Sequence, residues 1–458
     1  MTPVAVILVV LVVEGGVIAL RQPIRRLSRV SSLRQSDYRD HPLITALHTG
    51  LAVLLVSRFV FFPPDPASGW SDLVSVAVYV AAKGALVGCS FRSALRSQEK
   101  RLEAVLSSPE FASAEFAIYM SAVFLREPDH VKMWLEPLSS LGLPFMVVLR
   151  EAHHLKGLEG LSGFETIVVR SAEVNFLPET VRAVFYVNNS MHNTPVLKKY
   201  QHLTHIQLLH GDSDKPPSFN PYSRVYDRLF VAGQMAIDRY ARNGVYIPAE
   251  KFRIVGRPQL RPFKWVKKDT VTAVYMTTWG GTHKDANFSS WADCEKIVAS
   301  LLAVQGVDEV IFKPHPATYL STDFARRRAA IEKAASATGK TFRWAPRTED
   351  PFALYATADV LVTDISSTVI DYLYSGKPSV VTNPRGFSKE ELGLYPSVSA
   401  SYICQPDASN VAELVALALG ADPMAEKRAE VQAYAFGDLD SEPGEAFREA
   451  CYEFLGRP

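Results

Sequence analysis

Two histidines stand at the ends of apolar runs, in the company that proton transfer and phosphate binding require. Residues 206–209 read Ile-Gln-Leu-Leu, and His210-Gly211 follow, with Lys215 a few positions on. An imidazole with an ordinary pKa near 6.5 suits a general base at neutral pH. The glycine lets another group come close, and the lysine offers charge to a phosphate. The same histidine could instead be a structural residue bonded to backbone. Further along, Val310-Ile311-Phe312-Lys313 runs into Pro314-His315-Pro316, where a proline of fixed φ stands on either side of the imidazole. Lys313 is either a phosphate contact or a solvated lysine, and its place beside His315 favours contact. A third stretch, Val360-Leu361-Val362-Thr363, leads into Asp364-Ile365-Ser366-Ser367-Thr368. Val369, Ile370, Leu373 and Tyr374 then recur at helical spacing up to Gly376-Lys377-Pro378. Strand, hydroxyl-rich turn and helix start read together as an anion site, because helix-start N–H groups lack partners and the hydroxyls add donors. An ordinary capped helix uses the same residue types. Asp364 would orient the turn, and Asp371 lies one turn into the helix. Trp279 and His283, after the apolar residues 272–276, are candidates to line the same site.

These residues need a scaffold that presents strand ends. From Phe116 onward, short apolar runs at residues 116–123, 145–149, 166–169, 184–187, 206–209 and 229–233 alternate with helix-like or turn-rich stretches, and residues 254–258 close this series. Alternation of this kind implies parallel βαβ units. A Lys-rich hinge at residues 262–270 separates them from a second series at 272–276, 310–313, 341–344, 360–363 and 379–381, and residues 411–455 read as helical. The expected fold is therefore α/β, with two Rossmann-like domains, residues 105–265 and 266–458, and a central ligand cleft. Neither half contains GxGxxG or GxxxxGK[ST], which weighs against dinucleotide and P-loop chemistry. Glu349-Asp350 reads as a cap for a helix starting near Pro351, or as a partner for ribose or glycerol hydroxyls.

Residues 1–104 have a different character. Residues 4–20, 43–62 and 73–91 are apolar stretches of about 17–20 residues, the length that crosses a bilayer. Three transmembrane spans are expected, with Glu14, Arg58 and Lys83 as charges that must snorkel or pair. Arg21, Arg25, Arg26, Arg29, Arg34 and Arg39 between the first two spans, and Arg92, Arg96, Lys100 and Arg101 after the third, place those segments in the cytoplasm. The N-terminus would lie outside and the soluble body inside, at the plasma membrane. The chain of 458 residues has a formal charge of only +1, which argues against nucleic-acid binding. Cys89, Cys294, Cys404 and Cys451 lack ligand spacing and read as buried thiols, so no structural metal is expected and no cofactor is called for.

The motifs resemble those of the CDP-glycerol glycerophosphotransferases, the teichoic-acid primases and polymerases of bacterial cell walls. The resemblance rests on His210-Gly211 with Lys215, on residues 275–279, on Lys313-Pro314-His315-Pro316, and on residues 358–368 through Asp371-Tyr372. It spans about residues 185–395. It implies a GT-B-like architecture and transfer of glycerol phosphate, or another polyol phosphate, from CDP-glycerol or a related CDP-polyol. The acceptor would be a lipid-linked polyprenyl diphosphate. Carried onto this sequence, His210 would deprotonate the acceptor hydroxyl. His315 with Ser366, Ser367 and Thr368 would hold the diphosphate as CMP leaves. This chain departs from the pattern at Leu209, where an aromatic is usual, and at Thr277-Thr278-Trp279-Gly280, where an arginine usually ends the run. The alternatives are a GT-B glycosyltransferase using a CMP- or UDP-sugar for capsule polysaccharide, and a membrane scaffold without catalysis.

Overall fold

The structure is a computed structural model, and its described residues are 12–13, 50–51, 69–123, 127–169, 175–260, 269–280, 287–437 and 444–456. Apolar runs flanked by polar turns become buried parallel strands, as sheets covered on both faces require. The first sheet comprises β1 (Phe116–Met120), β2 (Phe145–Leu149), β3 (Glu165–Val168), β4 (Ala183–Tyr186), β5 (Thr204–Gln207), β6 (Arg228–Val231) and β7 (Phe252–Ile254), in the order β3-β2-β1-β4-β5-β6-β7. The second comprises β8 (Thr272–Met276), β9 (Glu309–Lys313), β10 (Thr341–Trp344), β11 (Val360–Thr363), β12 (Ser379–Val381) and β13 (Tyr402–Ile403), in the order β10-β9-β8-β11-β12-β13. In each sheet the order reverses beside the first strand. The switch points fall between β1 and β4 and between β8 and β11, where the crevice of an open α/β sheet lies.

The longer helices are α1 (Gly69–Leu106), α2 (Asp129–Ser139), α3 (Gln234–Arg242), α4 (Cys294–Ala303), α5 (Phe324–Ser336), α6 (Pro351–Thr357), α7 (Ser367–Leu373), α8 (Val411–Leu419), α9 (Ala425–Phe436) and α10 (Glu445–Leu455). Packing divides the chain into two units, residues 1–132 with 142–205, and residues 133–141 with 206–458. The division falls inside β5, rather than at the Lys-rich stretch near residue 265, most of which lies outside the described residues.

Several contacts explain why 206–260 belongs with the second sheet. Ala232, Met235 and Leu260 share one buried cluster with Ile370, Leu373, Ala400, Val431, Ala435 and Phe436. Gly233 sits so close to the end of α9 that a Cβ there would fall 2.3 Å from the carbonyl oxygen of Ala435, so α3 can start at that point only behind a glycine. The return of α10 brings Phe447 to 5.6 Å from Trp134 of α2 and 6.1 Å from Phe230 of β6. The Tyr452 hydroxyl donates to the carbonyl of Leu141 at 2.9 Å, which ties residues 133–141 into the same unit.

In the other unit, α1 contains one stretch, Val74–Arg92, long and apolar enough to cross a membrane. It coincides with the third expected span; those at 4–20 and 43–62 lie almost wholly outside the described residues. Lys83 is buried, with its ammonium 5.6 Å from the centre of the Tyr79 ring one turn back. Three of the cysteines are buried as expected. Cys89 is instead exposed, because it sits on the apolar stretch of α1.

Candidate functional site

The carboxyl ends of β8, β9 and β11 carry the candidate site, and Asp364 ties its loops together. This residue ends β11 at the switch point with no exposed surface, and its carboxylate accepts from three donors. These are the backbone N–H of Thr278 at 2.7 Å, that of Ser290 at 3.0 Å and the Thr382 hydroxyl at 2.5 Å. Burial raises its pKa to about 6, against the pull of those hydrogen bonds. Asp364 thus fixes the loop after β8 to the loop after β11, and its lone pairs are spent on protein donors.

His315 follows β9. Its backbone N–H donates to the Thr277 hydroxyl at 3.3 Å, and its ring Nδ1 accepts the backbone N–H of Ala317 at 3.1 Å. An accepting Nδ1 assigns the proton of the neutral ring to Nε2. Burial, then Lys215, Arg347 and Lys313, lower its pKa to about 4. At neutral pH, His315 is therefore an uncharged donor through Nε2–H, in a field set by three cations. Lys313 is buried, and its ammonium donates to the carbonyls of Pro346 at 3.1 Å and Arg347 at 3.4 Å, so two of its three protons brace the loop after β10.

The hydroxyl corner is compact. Ser366 precedes α7 in extended conformation and is buried, its hydroxyl donating to the Asp364 carbonyl at 3.2 Å. Ser367 and Thr368 are half-buried, and Thr368 hydrogen-bonds Tyr355. Because α7 has only seven residues, its dipole is small, and the cations near His315 carry more of the field. Asp371, deeper in α7, pairs with Arg257 at 2.6 Å; burial raises its pKa while Arg257 lowers it.

The loop from His210 to Lys215 reaches this corner. A Cβ on Gly211 would lie 3.4 Å from Cβ of Ser367, an ordinary contact, so the loop passes beside the Ser367 side chain with room for one methyl between them. Lys215 ends the loop with its ammonium 3.1 Å from the Thr278 hydroxyl and 5.0 Å from the centre of the Phe288 ring. Burial lowers its pKa to about 8, with Asp364 opposing. The loop is braced from behind by Arg239, buried in α3, which bonds Asp212 and, at 2.9 Å, Asp214. Asp214 also accepts the backbone N–H of Ser397 at 2.8 Å.

His210 is half-buried, and the residue before it is strained: Leu209 has φ +58°, the left-handed region that a bulky side chain disfavours by about 1–3 kcal/mol. Two bonds hold it there, its N–H donating to Gln207 Oε1 at 2.9 Å and its carbonyl accepting from Trp134 Nε1 at 2.7 Å. Trp279 is 42% exposed at the last described turn after β8, while His283 lies outside the described residues.

Of the residues singled out in the sequence, the structure brings Gly211 near Ser367 and Lys215 to Thr278 and His315. Sequence reasoning missed Arg239 and Trp134, whose partners are far away in sequence, and Arg347, which follows a strand but carries no motif. Asp350, read as a cap or a hydroxyl partner, accepts the N–H of Phe352 at 3.1 Å and caps α6, and Glu349 pairs with Arg343 at 2.8 Å.

Residues 258–391 match the family model described as CDP-glycerol:poly(glycerophosphate) glycerophosphotransferase. The match covers under a third of the chain. That segment holds His315 and the Asp364–Thr368 turn, and it bears out the resemblance read from the sequence; the His210–Lys215 loop precedes it. A comparison with curated proteins found no match. Among solved structures, the wall teichoic acid polymerase TagF is similar in fold. The CDPG-soaked histidine-to-asparagine variant of TagF superposes with TM-score 0.52 at 13% identity, covering 78% of this chain and 92% of that one. The TagF structure without a stated variant gives 0.51 at 12%, covering 78% and 93%, and a histidine-to-alanine variant gives 0.51 at 11%, covering 90% and 98%. The matched segment thus sits in an α/β fold with two parallel sheets, GT-B-like as in TagF.

Proposed function

We propose that this protein is a membrane-anchored, cytoplasm-facing glycerophosphotransferase that moves glycerol phosphate, or another polyol phosphate, from a CDP-polyol to a hydroxyl of a lipid-linked acceptor in teichoic-acid-like polymer synthesis. The observation that carries the reading is the placement of the 210–215 loop: Gly211 lies beside the Ser367 side chain, one methyl's width away, while Lys215 bonds Thr278 and acts on His315.

In this reading the diphosphate of the donor lies over the ends of β8, β9 and β11. His315 donates through Nε2–H, Ser367 and Thr368 offer hydroxyls, and Lys215 balances charge. The base at His210 takes the proton of the acceptor hydroxyl. The acceptor oxygen then bonds the phosphorus that bears the polyol, and the bond from that phosphorus to the bridging oxygen breaks, so that CMP leaves with that oxygen. Such transfers need mainly positioning and charge stabilisation, which a neutral imidazole donor and nearby cations supply. Asp364 and Asp371 act here by holding loops, through Thr278 and Arg257 respectively. Trp279, exposed beside the site, is a candidate contact for the cytosine or the polyol.

The stretch Val74–Arg92 supports an anchor, and an acceptor held in the same bilayer is met at raised effective concentration. A panel of CDP-polyols, CMP-sugars and UDP-sugars, incubated with the full chain and membranes and read by mass spectrometry, tests the reading. CMP with a phosphopolyol-extended lipid, formed from CDP-polyols alone, is the expected product. Sugar transfer, or no product from any CDP-polyol, would overturn it.

A further inference from the structure

We infer that Trp134 is a positioning residue for His210, acting through the backbone of Leu209. The inference deepens the proposed function and rests on His210 being its base.

Three observations converge on the residue before His210. Leu209 is held at φ +58°, where leucine is a genuine outlier. Its two backbone polar groups are engaged by side chains instead of the sheet: Gln207 Oε1 takes the N–H and Trp134 Nε1–H is given to the carbonyl. Trp134 in turn is only 2% exposed and fixed against Phe447. The apolar run 206–209 would otherwise continue as strand and leave Leu209 extended. Leaving the ladder after Gln207 and turning left-handed at Leu209 instead re-aims the chain, so that the His210 side chain departs in a direction an extended backbone would not give it. An indole N–H reaching from α2 is what keeps a residue with no preference for that conformation in place. A glycine or asparagine at 209 would adopt it unaided, so the leucine makes the tryptophan necessary.

The test uses the full chain in detergent. Trp134→Phe keeps the ring against Phe447 and removes the N–H donor. It is expected to lower kcat for CDP-polyol transfer by roughly 10–100-fold, the scale of a small misplacement of a reacting group, with KM for the donor held within about twofold. In a His210→Ala background it adds no further loss. The second readout needs no turnover: the rate at which diethyl pyrocarbonate modifies His210, followed by peptide mass spectrometry, changes at least about threefold while the other histidines keep their rates. Trp134→Phe with Leu209→Asn restores both the modification rate and kcat, because asparagine tolerates positive φ. Should Trp134→Phe fold poorly, Gln207→Met removes the other restraint and is expected to shift the His210 rate likewise. A His210 rate unchanged in the folded variant, or an equal loss of kcat with and without His210, would overturn the inference. If the wild type transfers nothing from any CDP-polyol, the proposed function fails, and the modification rates alone decide whether Trp134 positions His210.

Discussion

Both sheets join their two switch-point strands through a side chain, and the two joints differ in kind. In the first sheet Ser121, just past β1, meets Asn188, just past β4. The Ser121 N–H donates to Asn188 Oδ1 at 3.0 Å, Asn188 Nδ2 donates to the Ser121 hydroxyl at 2.9 Å, and that hydroxyl donates to Asn193 Oδ1 at 2.6 Å. Asn193 Nδ2 closes the network on the carbonyl of Asn188 at 2.8 Å. Every member is neutral and buried. In the second sheet, the equivalent joint from β11 to β8 is a carboxylate, Asp364, with His315 and Lys215 beside the same loops. One architecture thus yields a self-satisfied clasp in one sheet and a charged, donor-rich end in the other. The difference lies in what is left over: amides and hydroxyls can satisfy each other completely, whereas clustered cations and a neutral imidazole donor leave capacity for an anion.

Four changes would break or sharpen this contrast. Replacing His210 with alanine removes the proposed base and is expected to lower kcat for transfer by roughly 10²–10⁴, with the fold retained as judged by thermal unfolding. Asp364→Ala orphans three buried donors at about 1–3 kcal/mol each, so a loss of at least about 3 kcal/mol in denaturant unfolding is expected, alongside weakened donor binding. Lys215→Met is expected to raise the donor Kd about tenfold, the scale of one charge-assisted bond. The lysine loses its proton as pH rises through about 8, so wild-type kcat/KM should fall on the alkaline side of that value. The Met variant should lack that limb. Ser121→Ala, in the neutral clasp, is expected to cost about 1 kcal/mol of stability while leaving donor affinity unchanged. If it weakened donor binding as much as Lys215→Met, the contrast between the two ends would be lost.

The pH dependence of stability follows from the same groups. The pKa of His315 is lowered on folding, so its contribution to stability is complete above the ordinary histidine range and is lost as pH falls from about 6.5 towards about 4. The pKa of Asp364 is raised, so its contribution has the opposite sign, present below the ordinary aspartate range and lost as pH rises through about 6.

Much of this was legible in the chain. β8, β11 and β12 begin and end where the apolar runs do, because a strand buried on both faces needs an unbroken run and polar turns bound it; β10, an edge strand with no buried residue, also keeps its expected bounds. The run 206–209 misled by two residues: β5 is Thr204–Gln207, since Leu208 and Leu209 are apolar yet have left the ladder. β13, of two residues, is too short to leave a periodic signal. At the candidate site, the polar residues at the strand ends stood out in the sequence because each follows an apolar run. Their supports did not. Trp134 lies 75 positions from Leu209, and Asp364 lies 86 from Thr278, and neither distance leaves a mark in local sequence.

The central claim is that the carboxyl end of the second sheet, and not that of the first, holds the donor diphosphate. Titration calorimetry of CDP-glycerol into the full chain in detergent tests it most directly, comparing wild type, His315→Ala and Ser121→Ala. The account predicts that affinity falls about tenfold or more in His315→Ala and is unchanged in Ser121→Ala. Wild-type affinity in a folded His315→Ala protein, with binding lost in Ser121→Ala, would contradict it.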